Sequence, residues 1–197
     1  HGDVDAVFVA HCETSTGAVD CSVCHAEVVD RYTSGTHGLL AARGDVAAPG
    51  CVDCHTSHAI RSKSDPEPPT FPTNVTALCS ECHAEGRIAT LRGGDTPSEA
   101  VALYLESIHG TGLTRGGLIV SATCASCHGS HGNLPAGDPA SSVSHDRIAG
   151  TCGACHYGVE EQFNRSVHGA PAAAIMAGGV LADGRAEANS ARQRATC

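Results

Sequence analysis

Ten cysteines and five histidines of this 197-residue chain fall into five copies of one pattern, Cys-x-x-Cys-His. The copies are Cys21-Ser22-Val23-Cys24-His25, Cys51-Val52-Asp53-Cys54-His55, Cys79-Ser80-Glu81-Cys82-His83, Cys124-Ala125-Ser126-Cys127-His128 and Cys152-Gly153-Ala154-Cys155-His156. Within one helical turn, two thiols three residues apart reach the two vinyl groups of a haem, and the adjacent imidazole reaches the iron from the same side. Disulfides and zinc knuckles also use paired cysteines, but neither explains a histidine after every pair. With 13 histidines in the chain, one follows a given pair by chance about 7% of the time, so five in five is on the order of one in a million. The pattern implies five covalently bound c-type haems, one per motif.

The second axial position of each iron decides between electron carrier and catalyst. Eight histidines lie outside the motifs: His1, His11, His37, His58, His109, His131, His145 and His168. Five of them recur in local patterns. His58 and His131 stand in Cys-x-x-Cys-His-x-x-His, and His37, His109 and His168 each precede a glycine, in Ser34-Gly35-Thr36-His37-Gly38, Ser107-Ile108-His109-Gly110 and Ser166-Val167-His168-Gly169. These five are the expected distal ligands.

The chain from His55 to His58 spans at most about 10 Å, too little to pass round a porphyrin, so His58 must serve a different haem, and His131 likewise. Each such pair clamps two macrocycles into near contact. Twelve residues of continuous helix would carry His37 about 18 Å from His25, so either the helix breaks or His37 serves a neighbouring iron. Spacing alone does not assign ligand to haem. Other ligands are scarce: Met176, the only methionine, reads as packing, and Lys63 is the only lysine, so no Cys-x-x-Cys-Lys variant exists.

Short helices and loops must position these residues. Thr96, Pro97 and Glu99 form a helix start with a capping box, Ala100 to Ile108 continues it, and Gly110 terminates it, which places His109 at a helix C-terminus. Val159 to Val167 before His168 and Ala26 to Tyr32 before His37 read likewise. Ser64 to Thr73 holds four prolines and reads as loop, as do Arg92 to Asp95 and Gly132 to Ser142. The expected fold is a set of short α-helices and long loops wrapped around a haem chain, with little or no β-sheet.

Composition agrees with a haem core. Leu, Ile, Val and Phe make up about 18% of the chain and Trp is absent, below the roughly 20% under which a chain buries too little to fold. Five covalently fixed macrocycles supply the missing apolar area, so the apo-protein should be disordered. The formal charge of −9 argues against nucleic acid and anionic membrane surfaces. It points instead to basic proteins, other cytochromes or metal oxides as partners.

Attachment of such haems is completed outside the cytoplasm. The chain opens at His1 without a charged n-region or an apolar h-region, so a signal peptide is expected to have been removed. The longest weakly polar stretch, Pro171 to Ala182, is about 12 residues against the roughly 20 that span a bilayer, so no membrane anchor is expected.

Internal repetition organises the chain. Cys51 to Cys124, Cys79 to Cys152 and His58 to His131 are each 73 positions apart, which suggests duplication of a two-haem unit. The expected organisation is one domain, residues 1–197. Its repeats cover approximately 37–108 and 109–168, a partial unit 1–36 precedes them, and a haem-free segment 170–197 follows. Ala195-Thr196-Cys197 repeats Ala122-Thr123-Cys124, so Cys197 stands where another motif would begin. Cys12 is the other cysteine outside a motif. The two could form a disulfide or stay as thiols.

From Ser22 to Gly169 the chain resembles the multihaem cytochromes c that combine Ser-x-His-Gly, Cys-x-x-Cys-His-x-x-His and further Cys-x-x-Cys-His motifs. The resemblance implies bis-histidine ligation and closely packed haem pairs. It does not select one role, since such proteins include periplasmic shuttles, parts of outer-membrane conduits, reductases and extracellular cytochrome filaments. Two classes follow. The first is electron transfer without catalysis, favoured in a polymerising extracellular form because His1, His11 and His145 exceed the need and could ligate across an interface; a discrete periplasmic shuttle is its alternative. The second is a reductase of nitrogen or sulfur oxyanions with one open iron, to which only His145-Asp146-Arg147 hints.

Overall fold

A computed structural model describes residues 20–56, 60–62, 64–92 and 99–169. The chain divides into two compact units, His1–Pro135 and Ala136–Cys197. Among the described residues all regular structure is helical, with no strand. In the first unit α1 spans Ser22–Ser34, α2 Thr36–Ala42, α3 Cys51–His55, α4 Pro72–His83, α5 Ile88–Leu91, α6 Ala100–Glu106, α7 Ile108–Thr114 and α8 Cys124–His128. The second unit holds α9, Ile148–Gly153, and α10, Tyr157–Arg165.

Such short helices do not persist on propensity alone, and the protein offers them little core. Among the described residues the buried apolar side chains are Val75 and Leu113. Large apolar residues instead face outward at the motifs: Val23 is 81% exposed, Val52 53% and Tyr157 71%. That is the apolar surface a haem would cover.

One construction recurs at the His-Gly segments. At Gly35 (ψ 169°), Ser107 (ψ 164°) and Ser166 (ψ 166°) the backbone turns extended and ends the preceding helix. After Gly35 and Ser107 a new helix starts at once, so His37 and His109 are the second residues of α2 and α7. This corrects the expectation that His109 and His37 close a helix and that Gly110 terminates one. The reason is local. The Ser107 hydroxyl donates to the Tyr104 carbonyl (2.6 Å) and accepts the Gly110 N–H (3.1 Å), capping the new helix rather than extending the old one.

The glycines serve close approach. A Cβ on Gly38 would lie 2.1 Å from the Tyr32 carbonyl oxygen, one on Gly110 2.1 Å from that of Tyr104, and one on Gly169 2.3 Å from that of Phe163. The folded-back turn thus rests against the last turn of the helix before it, and no other residue fits. The capping segment expected at Thr96 to Ser98 lies outside the described residues, and α6 begins at Ala100.

The proline-rich stretch is a series of turns leading into α4, with Pro72 at its first position. The Asn74 amide donates to the carbonyls of Pro66 and Pro68, both at 3.0 Å, and Arg61 pairs with Asp65 (2.9 Å) and Glu67 (2.7 Å). No helix among the described residues is long and apolar enough to cross a membrane. Residues 171–182 fall outside them.

Candidate haem-binding sites

The five motifs are presented in two ways. The second and fourth, 73 residues apart, are isolated turns, α3 and α8. Each opens on a hydrogen bond from the residue before the first cysteine to the third helical residue. The Gly50 N–H donates to Asp53 Oδ2 (2.7 Å) and the Thr123 N–H to Ser126 Oγ (3.0 Å). Each closes on the same left-sided backbone, Thr56 at φ 65°, ψ 167° and Gly129 at φ 80°, ψ 165°. Glycine adopts that region freely and threonine does not.

The other three motifs join longer helices. Cys79, Cys82 and His83 end α4. His25 kinks α1 at φ −124°, ψ 42°, and His156 enters α10 at nearly the same angles, φ −110°, ψ 49°. In the fifth motif the Glu160 side chain folds over Gly153, where an added Cβ would come within 2.9 Å of the Glu160 Cβ.

Two tyrosines that sequence reasoning passed over fasten the approach to the second and fourth motifs. The Tyr32 hydroxyl donates to the Pro49 carbonyl (3.0 Å) and the Tyr104 hydroxyl to the Ala122 carbonyl (2.9 Å), each two residues before a first cysteine. Both stand three residues before a hinge, as Phe163 does before Ser166. This aromatic-x-x-Ser/Gly-x-His-Gly pattern could have revealed them.

Four histidines come together in two pairs, each joining a motif histidine to one outside the motifs. His37 and His83 have ring centres 6.1 Å apart with planes tilted by 51°, and His55 and His131 have centres 6.0 Å apart and nearly parallel planes, 10° apart. Burial, then the neighbouring His83, lowers the pKa of His37; burial, then His55 and Arg31, lowers that of His131. Burial also lowers His83 and His128. At all four, burial favours the neutral imidazole, which is the form that ligates metal.

His109 follows the Ser107 hinge, and its carbonyl accepts from Ser121 Oγ (2.8 Å). In the second unit the His168 N–H donates to Ser166 Oγ (3.2 Å), and His145 lies exposed beside Asp146 (3.4 Å). His1, His11, His58, Cys12, Cys197 and Met176 lie outside the described residues.

Thiols of successive motifs in the first unit are also neighbours. Burial and then Cys21 raise the Cys51 thiol. Burial, with Asp53, Cys51 and Cys82 nearby, raises Cys54. Cys79 and Cys124 share a hydrogen bond that raises the first and lowers the second.

The donor set fits haem. Paired thiols sit one turn apart, apolar side chains are exposed around them, and imidazoles stand in twos. An iron–nitrogen distance of about 2 Å on each side places the ring centres of two imidazoles sharing one metal about 6 Å apart.

Residues 44–88 match the family profile described as the doubled CXXCH motif. No curated protein and no solved structure matches the chain. The doubled motif marks covalent haem c attachment, of the kind found in electron-carrying cytochromes and completed outside the cytoplasm.

Proposed function

We propose that this protein is an electron carrier that holds five haems c, one on each Cys-x-x-Cys-His motif, and passes single electrons along them outside the cytoplasm. Cys21, Cys24, Cys51, Cys54, Cys79, Cys82, Cys124, Cys127, Cys152 and Cys155 attach the haems. His25, His55, His83, His128 and His156 are the proximal ligands, and His37, His58, His109, His131 and His168 the distal ones. Bound haem supplies a one-electron ferric–ferrous couple whose potential follows its axial ligands and burial.

The observation that carries this reading is the succession of motifs in the first unit. Cys21 neighbours Cys51, Cys54 neighbours Cys82, and Cys79 neighbours Cys124. Closely spaced attachment points favour the short distances between cofactors that conduction requires, whereas a catalyst needs one open iron in a polar pocket. Donors and acceptors on this reading are other cytochromes or extracellular acceptors such as metal oxides. Self-association into filaments uses the surplus histidines His1, His11 and His145.

Carbon monoxide added to the reduced holoprotein tests the carrier reading. No spectral change is expected, and appreciable binding reveals an open iron and favours an oxyanion reductase. Electron microscopy of the same preparation tests the polymer: filaments with a regular repeat are expected, and monodisperse particles leave a soluble shuttle.

A further inference from the structure

We propose that two distal ligands cross between motifs in a defined way: His131 closes the iron held by His55, and His37 closes the iron held by His83. The inference rests on the bis-histidine reading and supplies what spacing leaves open, namely which histidine serves which iron. In both pairs the separation of ring centres, 6.0 and 6.1 Å, is close to the separation of about 6 Å that two imidazoles sharing one metal would have. Each pair joins a motif histidine to one outside the motifs, as a proximal and a distal ligand must be joined.

The two distal histidines are delivered by one joined piece of backbone. The Thr36 N–H, beside His37, donates to the Asn133 carbonyl at 2.7 Å. The Asn133 amide donates to the Gly129 carbonyl at 2.9 Å and closes the loop that presents His131. Gly35 lies under this loop: an added Cβ would stand 3.1 Å from the Asn133 nitrogen, the Gly132 Cα and the His131 carbonyl oxygen. The other two hinges have serine there, Ser107 and Ser166. The first hinge lacks a side chain because the His131 loop occupies its place. Gly35 and Asn133 are therefore positioning residues for both irons.

The test uses haem-loaded protein, with covalent haem counted by mass spectrometry and spin state read by electron paramagnetic resonance. His131→Ala is expected to convert one iron from low to high spin, and His37→Ala another. On a Cys51→Ala, Cys54→Ala background, which removes the second haem, His131→Ala should add no high-spin iron; on a Cys79→Ala, Cys82→Ala background it should still add one. His37→Ala should show the reverse dependence. A high-spin iron that follows the wrong background, or none in either single variant, overturns the pairing.

Should a cysteine background fail to assemble, His131→Met keeps every haem. Nuclear Overhauser contacts from its methyl to the haem bonded to Cys51 and Cys54 support the assignment, and contacts to any other haem overturn it. Gly35→Val is expected to raise the high-spin signal at both irons together, and a change at neither overturns the shared positioning. A wild-type chain without covalent haem sinks the underlying reading, whereas haem-loaded, low-spin protein with misplaced effects sinks the pairing alone.

Discussion

The bends at Gly35–Gly38 and at Ser107–Gly110 have the same shape and different supports. In both, an extended residue ends one helix, a histidine takes the second place of the next, and a glycine packs against a tyrosine carbonyl. Ser107 caps its own turn through its hydroxyl. Gly35 has no side chain to do so and leans on the segment 131–133, taking the Thr36–Asn133 hydrogen bond instead. A histidine-bearing bend can thus be self-sufficient or held by a neighbour, and the second kind ties the backbone at two histidines into one unit.

The largest effect is expected where the two bends agree. Gly38→Ala and Gly110→Ala each drive a methyl into backbone, which cannot yield as a side chain would, and should cost about 3 kcal/mol. Thermal unfolding of the holoprotein should fall by about 6–12 °C for either. Equal, negligible shifts would break the comparison at its base.

The next effect separates the bends. Gly35→Ser supplies the missing hydroxyl but crowds the 131–133 backbone, and should destabilise by about 1–2 kcal/mol. Ser107→Ala should cost about 1 kcal/mol through its lost cap. If Gly35→Ser instead raises the unfolding temperature, the bends are interchangeable and the neighbour's support is unimportant.

Smaller still are the tyrosine fastenings. Tyr104→Phe and Tyr32→Phe each remove a half-buried hydroxyl bond to the lead-in of a motif and should lower stability by about 1 kcal/mol. Calorimetry of the pair should give similar losses; a loss at only one would mark that lead-in as the more dependent. Thr56→Gly should act in the opposite sense, stabilising by a few tenths to about 1 kcal/mol, because the strained backbone of Thr56 outweighs the added freedom of glycine in the unfolded chain.

The smallest effect concerns the exposed pair of Arg92 with Asp45, joined at 2.9 Å through one arm of the guanidinium. The arginine holds the Asp45 carboxyl below the usual carboxylate range. Its contribution is present at neutral pH and lost as pH falls through that lowered value. Arg92→Ala should leave haem spectra unchanged at neutral pH and flatten slightly the acid limb of the stability profile.

Much of this was legible in the sequence. Five motifs, and among the described residues the absence of strand and the scarcity of a protein core, follow from residue types and spacing. The helices α3 and α8, which stand 73 residues apart, are capped and left by the chain in the same way. The direction of the His-Gly bends was misread, because a glycine after a histidine signals a helix end as readily as a close approach, and only the position of the Tyr32 and Tyr104 carbonyls distinguishes them. The partners of His37 and His131 were illegible for a different reason. The proximity of two rings is a long-range property, and the local trace of the contact between these segments is the glycine at position 35, where serine stands in the other bends. Thr56 gave no warning, since threonine rarely takes the left-sided backbone that Gly129 takes at the corresponding end of α8.

Protein-film voltammetry of the haem-loaded chain tests the central claim most directly. Reversible waves are expected whose integrated charge equals five electrons per molecule and whose shape does not change when nitrite or tetrathionate is added. A catalytic current, or an integral well short of five, would contradict it.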